Sequence, residues 1–210
     1  MNAAWQNNHE PQGFRPSGLD YLRVLRRGLP LGFLVFGGLL LLLLIRLIER
    51  PMFGPQRPVT PHITQFVCRN AFRILGIRFT TKGEPMDQNG AVVANHAGWL
   101  DIFSLNARKR VYFVSKSEVA GWPGIGVLAR ATGTVFINRD RKEAQTQIEV
   151  FRTRLKAGHK LLFFPEGTSS DSRRVLPFKS TLFAAFFTPE LRDFMWVQPV
   201  TLRYFAPEGR

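Results

Sequence analysis

"AVVANHAGWLD", residues 91–101, decides how this chain is read. Ala91 to Ala94 run apolar without alternation, as in a strand buried on both faces. Asn95 and His96 break the run, and "AGWLDIFSL" then opens a helix. His96 thus falls at the carboxyl end of a strand, where open α/β sheets place their sites. Asp101 follows five residues later, near the first turns of the helix. Its carboxylate can accept from one imidazole nitrogen and fix the tautomer. The other nitrogen is then free to take a proton from a hydroxyl. The same two residues could equally well be polar caps on a helix, and this stretch alone leaves both readings open.

The pattern continues downstream. "VYFVS" (111–115), "TVFIN" (134–138), "KLLFFP" (160–165) and "WVQPVTLRYF" (196–205) read as further strands. Between the third and fourth of the five runs, "DRKEAQTQIEVFRTRLKAG" (140–158) reads as a helix. Asp140 and Glu143 form its capping box, Ile148, Phe151 and Leu155 its buried stripe, and Gly158 its stop. Strands alternating with helices predict an α/β fold, a mixed, mostly parallel sheet layered by helices. No internal repeat appears.

Upstream, residues 1–17 read as a polar tail and 18–79 as a membrane-associated helical segment, leaving 80–210 for the main domain. "GLPLGFLVFGGLLLLLLI", residues 28–45, has no charged residue. As a helix it extends about 27 Å, just short of a bilayer core of about 30 Å. A signal peptide is a poor fit, since a long region precedes the stretch and no A-x-A-like site follows. Arginines flank both ends: Arg23, Arg26 and Arg27 before, Arg46, Arg50 and Arg57 after. The charge bias is nearly balanced, which permits a half-inserted helix with both ends on one face of the membrane. "TPHITQFVCRNAFRILG" (60–76) is a second helix, with Thr60 as N-cap, Pro61 in the first turn and Gly76 at its end. It suits a core or an interfacial position.

Composition narrows the partners. Lys and Arg number 29 against 15 Asp and Glu, a net charge of +14. Such a charge calls for an anionic partner, nucleic acid or a membrane surface. The apolar segment selects the membrane, and no nucleic-acid motif is present. The single cysteine, Cys68, forms no internal disulfide and fits a reducing compartment. His9, His62, His96 and His159 show no metal-ligand spacing. "GWPGIG" (121–126) has the wrong order for a dinucleotide fingerprint.

Three more stretches could carry chemistry. "GTVFINRD" (133–140) delivers Arg139 at a strand end, suited to a carboxylate or phosphate. "LLFFPEGTSS" (161–170) runs a strand into Glu166 within a Pro-Gly turn, an unusual place for a carboxylate. "VQPV" (197–200) puts Pro199 in an apolar run, which marks an edge strand or bulge. Together and in this order, His96 with Asp101, "GTVFINR", "FPEGT" and "QPV" resemble the lysophosphatidic acid acyltransferase family. The resemblance covers residues 80–205. The family pattern is N-H-x-x-x-x-D, G-x-x-F-I-x-R, F-P-E-G-T and a short block containing proline.

That resemblance implies transfer of a fatty acyl group from a thioester of acyl carrier protein or coenzyme A to a lysolipid hydroxyl, with no other cofactor. His96 is implied as general base and Asp101 as its orienter. Arg139, Glu166, Gly167 and Thr168 are implied to line the acceptor site, with Lys116 and Lys179 as further anion contacts. Pro199 is implied to shape the pocket. The site is expected on the cytoplasmic face of the cytoplasmic membrane. One departure matters: the family usually carries arginine directly after F-P-E-G-T, facing the acceptor phosphate, and this chain has Ser169. The run from 164 to 187 looks more like the lyso-ornithine lipid acyltransferase branch, although Arg173 or Arg174 could replace the missing cation. The alternative acceptor is 1-acyl-glycerol-3-phosphate. A membrane-anchored protein that binds anionic lipid without turnover is the non-enzyme alternative. Family members usually continue beyond the fourth block, so residue 210 is expected to fall short of the natural terminus.

Overall fold

The computed structural model describes residues 16–138, 144–171, 175–179, 186, 188–192 and 195–205. The predicted Asp140–Glu143 capping box lies outside them.

The apolar segment is a single helix, α1 (Gly18–Phe53), longer at its carboxyl end than the sequence suggests. It runs through Pro51 and stops at Gly54, whose positive φ of 57° favours glycine. Its most apolar 18 residues have a mean hydropathy of 2.6, and only 6% of them are buried. Helix α2 (Thr60–Leu75) packs antiparallel to it. A side chain at Gly38 of α1 would collide with Val67 of α2, and Arg27 lies beside Gly76. The N-cap of α2 is Val59, one residue before the expected Thr60. The capping is done from α1: the buried Glu49 carboxylate accepts from Val59 N (2.7 Å), Thr60 N (3.1 Å) and Thr60 Oγ1 (2.7 Å). A carboxylate there satisfies donors that a helix start leaves orphaned.

Five strands follow: β1 (Gly90–Ala94), β2 (Tyr112–Lys116), β3 (Val135–Ile137), β4 (Lys160–Phe163) and β5 (Trp196–Val200). Their order is β3-β2-β4-β1-β5, and every pairing is parallel. All five carboxyl ends therefore share one edge of the sheet. β5 is an edge strand with Pro199 opposite Val93, so the missing N–H is tolerated. It ends at Val200, well short of the predicted Phe205.

Residue alternation assigns the two faces. Ala91, Val93, Leu161 and Phe163 pack with Phe151 and Leu155 of α5 (Ala144–Lys156), two of its predicted stripe. Val92, Ala94 and Leu162 pack on the other face with Leu105 of α3 (Leu100–Arg108). Both faces are covered, which is why the strands lack polar alternation. Cys68 and Phe72 of α2 pack on Ala107 of α3, joining the helical pair to the domain. Burial pushes the Cys68 thiol up to about 12, so it holds no thiolate at neutral pH. The glycines of "GWPGIG" serve a local turn. Gly124, at φ 71°, starts α4 (Ile125–Thr132), and a side chain at Gly126 would strike the Ala120 carbonyl.

Candidate active site

β1 delivers Asn95 and His96 to the carboxyl edge of the sheet. Asn95 fixes that loop to the segment after β5 by two bonds: its Nδ2 donates to Leu202 O (3.0 Å) and its Oδ1 accepts from Leu202 N (2.7 Å). His96 Nδ1 lies 2.6 Å from Asp101 Oδ2. The same oxygen accepts from Ala97 N (2.7 Å) and Gly98 N (3.0 Å). So Asp101 orients the imidazole and also ties down the turn that leads into α3.

The Asp101 side chain is fully buried. Burial alone would raise its pKa, but hydrogen bonds from His96, Gly98, Tyr204 and Ala97 outweigh that and hold it below the ordinary carboxyl value. An ionised Asp101 makes Nδ1 the protonated nitrogen and leaves Nε2 with the lone pair. No hydrogen bond engages Nε2 among the described residues, and the His96 side chain is 25% exposed. The ring stacks on Phe164, centroids 4.1 Å apart. Together these fix an imidazole with one face against an aromatic wall and Nε2 without a hydrogen-bond partner among the described residues.

Sequence reasoning missed Tyr204, which it placed inside a strand. Tyr204 Oη donates to Asp101 Oδ1 at 2.7 Å and lies 3.0 Å from Ser104 Oγ. Burial, and then the neighbouring Asp101 carboxylate, push its phenol pKa up, so it remains a donor. The signal was faint: Asn95 after β1 and a tyrosine four residues past β5, joined only by the fold.

Glu166 follows β4, the neighbour of β1, and is 1% exposed. Its Oε1 accepts from His96 N (3.2 Å) and its Oε2 from Leu176 N (2.8 Å). Ser170 N donates in return to His96 O (2.8 Å). The "FPEGT" turn is thus clamped to the His96 backbone from both sides. Gly167 closes it at φ 70°, with its N–H on Phe164 O (3.1 Å). Thr168 and Ser169 are exposed and Ser170 is buried. Lys116 is half-buried at the end of β2, on the same edge of the sheet but two strands from β1. Lys179 is exposed, its N–H on Pro165 O (2.8 Å). Arg139, Arg173 and Arg174 lie outside the described residues.

Several known proteins are similar to this chain. A family model described as Acyltransferase matches residues 76–203. A lyso-ornithine lipid O-acyltransferase of Rhodobacter capsulatus is 55% identical over 205 residues, covering 98% of this chain and 74% of that protein. A 1-acyl-sn-glycerol-3-phosphate acyltransferase of Neisseria gonorrhoeae is 36% identical over 128 residues, 60% of this chain and 49% of that one. The crystal structure of the 1-acyl-sn-glycerophosphate acyltransferase PlsC of Thermotoga maritima superposes with a TM-score of 0.56 at 22% identity. It covers 86% of this chain and 81% of that one, and shows a shared fold.

Proposed function

The chain belongs to the Acyltransferase family, and from that premise we propose that it acylates the free hydroxyl of a lyso-ornithine lipid. The observation that carries the chemistry is the 2.6 Å His96–Asp101 contact with Nε2 unoccupied. Nε2 takes the hydroxyl proton as the oxygen attacks the thioester carbonyl. The C–S bond breaks, and the proton passes to the departing thiolate of coenzyme A or acyl carrier protein. A buried carboxylate stabilises the imidazolium that forms between the two transfers. No acyl-enzyme is needed: the chain lacks G-x-S-x-G, and Cys68 is a buried, protonated thiol.

Ser169 carries the choice of acceptor. A phosphate monoester rewards an arginine fork, whereas a serine hydroxyl offers a neutral bond of roughly half the strength. The likeness to the Rhodobacter protein supports the same choice. Purified membranes offered lyso-ornithine lipid and lysophosphatidate side by side are expected to acylate the first at least as fast. Ser169→Arg is expected to shift the ratio of kcat/KM toward lysophosphatidate by about tenfold, equivalent to about 1.4 kcal/mol. Acylation of lysophosphatidate alone by the unmodified chain would reverse the assignment.

The helical pair favours half-insertion over crossing. Val67 of α2 sits against Gly38, the middle of the apolar stretch, and two residues on Arg69 Nε donates to Ala107 O at 2.8 Å. A helix α1 along the bilayer normal would carry that arginine and the end of α3 into hydrocarbon, at a cost of several kcal/mol. Lying in one leaflet, α1 keeps both arginine-flanked ends at the head groups and places the site beside its lipid acceptor. Ser17→Cys and Gln56→Cys variants in sealed vesicles are therefore expected to react with an impermeant maleimide from the same side. Labelling from opposite sides would establish a crossing helix.

A further inference from the structure

The His96 site occupies the carboxyl edge of the sheet. The opposite edge carries a pocket of different chemistry, about 350 Å³, where β2 and β4 begin and beside the turn joining α1 to α2. Its walls include Arg57, Lys109, Arg110, Tyr112, His159 and Lys160. The carboxylates beside these groups are already engaged. Asp87 accepts from Lys109 Nζ at 2.9 Å, and Glu49 is held by Arg46 and the start of α2. Arg57 and Lys160 donate to the carbonyls of Ala131 (2.7 Å) and Asp87 (2.9 Å), and Arg110 donates to the His62 ring (3.0 Å). Lys109 is thus paired with Asp87, whereas Arg57, Arg110 and Lys160 have no ion-pair partner among the described residues.

His159 adds an independent observation. It is 5% exposed and stacked on Tyr112, centroids 4.1 Å apart. Neither ring nitrogen has a hydrogen-bond partner among the described residues. Buried polar groups are rarely left so, and a neutral imidazole always carries one N–H that needs an acceptor. Burial, and then Arg154, Arg57 and Arg46, push its pKa down to about 3, so the ring stays neutral. This cluster is rich in donors and short of one acceptor bearing negative charge, and a phosphate is both.

We propose that the pocket binds the phosphate of an anionic phospholipid head group, as a lipid site distinct from the reaction centre. Position favours a lipid over free phosphate. Arg46 and Arg50 end the apolar stretch at the depth of the head groups, and Arg57 in the pocket wall follows them directly. The proposal rests on the membrane placement above. Because β2 and β4 run from this pocket toward the catalytic edge, a head group held there is no reactant; it orients the domain on the leaflet.

The test uses the full chain reconstituted in phosphatidylcholine vesicles, with spin-labelled phosphatidylglycerol or phosphatidylcholine as probe. The unmodified chain is expected to immobilise labelled phosphatidylglycerol selectively. Lys109→Ala with Arg110→Ala should lower that selectivity about twenty-five-fold, since each surface cation contributes about a factor of five. Arg130→Ala with Arg152→Ala removes the same charge elsewhere and should lower it no more than about twofold. Equal losses in both pairs would overturn the pocket in favour of diffuse attraction. Displacement of the labelled lipid by millimolar inorganic phosphate at constant ionic strength would overturn the lipid as its source. Loss of acyl transfer by the pocket pair in detergent would overturn its separation from the reaction. Failure of the unmodified chain to enter vesicles at all would count against the membrane placement instead.

Discussion

His96→Ala is expected to lower kcat for acyl transfer by about a thousandfold or more, to the rate that positioning alone supports, with the fold intact. The side chain is only partly buried and its backbone bonds to Glu166 and Ser170 survive the change. Chemistry is lost, and circular dichroism and the unfolding temperature stay close to those of the parent. Asp101→Asn should fall less far, by about a hundredfold. An amide can no longer hold Nδ1–H as an anion does, and one turned the other way places the ring hydrogen on Nε2, the wrong nitrogen. It also leaves part of the Ala97, Gly98 and Tyr204 donor set unpaired, so its unfolding temperature should drop. Near-normal turnover of His96→Ala in a purified acyl transfer assay would remove the histidine from the reaction.

What the sequence made legible follows the range of the forces involved. Strands buried on both faces announce themselves as unbroken apolar runs, and Phe151 and Leu155 announce the covering helix. Four of the five strands end within two residues of where the runs do. The fifth does not: apolar character continues to Phe205, but pairing stops at Val200 because β5 has a neighbour on one side only and Asn95 captures Leu202. The His96–Asp101 pair is legible because a strand-to-helix turn confines it to six residues. Tyr204 reaches the same carboxylate from 103 positions away, and no local pattern encodes that. Glu49 capping α2 was hidden for the same reason, since its partner lies across a helical turn and not within one helix.

Glu166 is where the reading of the motif and the geometry diverge in consequence, and a single substitution separates them. A carboxylate that contacts the acceptor would be expected to keep an oxygen free. Here both oxygens accept backbone N–H groups, one from His96 and one from Leu176, and the side chain is 1% exposed. We propose from this arrangement that Glu166 is a positioning residue that holds β1's exit loop and the chain after β4 in register. Glutamine has one acceptor oxygen and a donor in place of the other, so Glu166→Gln must leave one of the two N–H groups facing an NH₂. An unsatisfied buried donor costs about 1–3 kcal/mol. Spent on loosening His96, that is about a ten- to hundredfold loss of kcat, with the acceptor KM within about twofold of the parent. Glu166→Ala should lose more, because both N–H groups are then orphaned. A Glu166→Gln enzyme with near-parental kcat and a KM for the acceptor raised tenfold would place the carboxylate on the substrate and refute its role as a brace for His96.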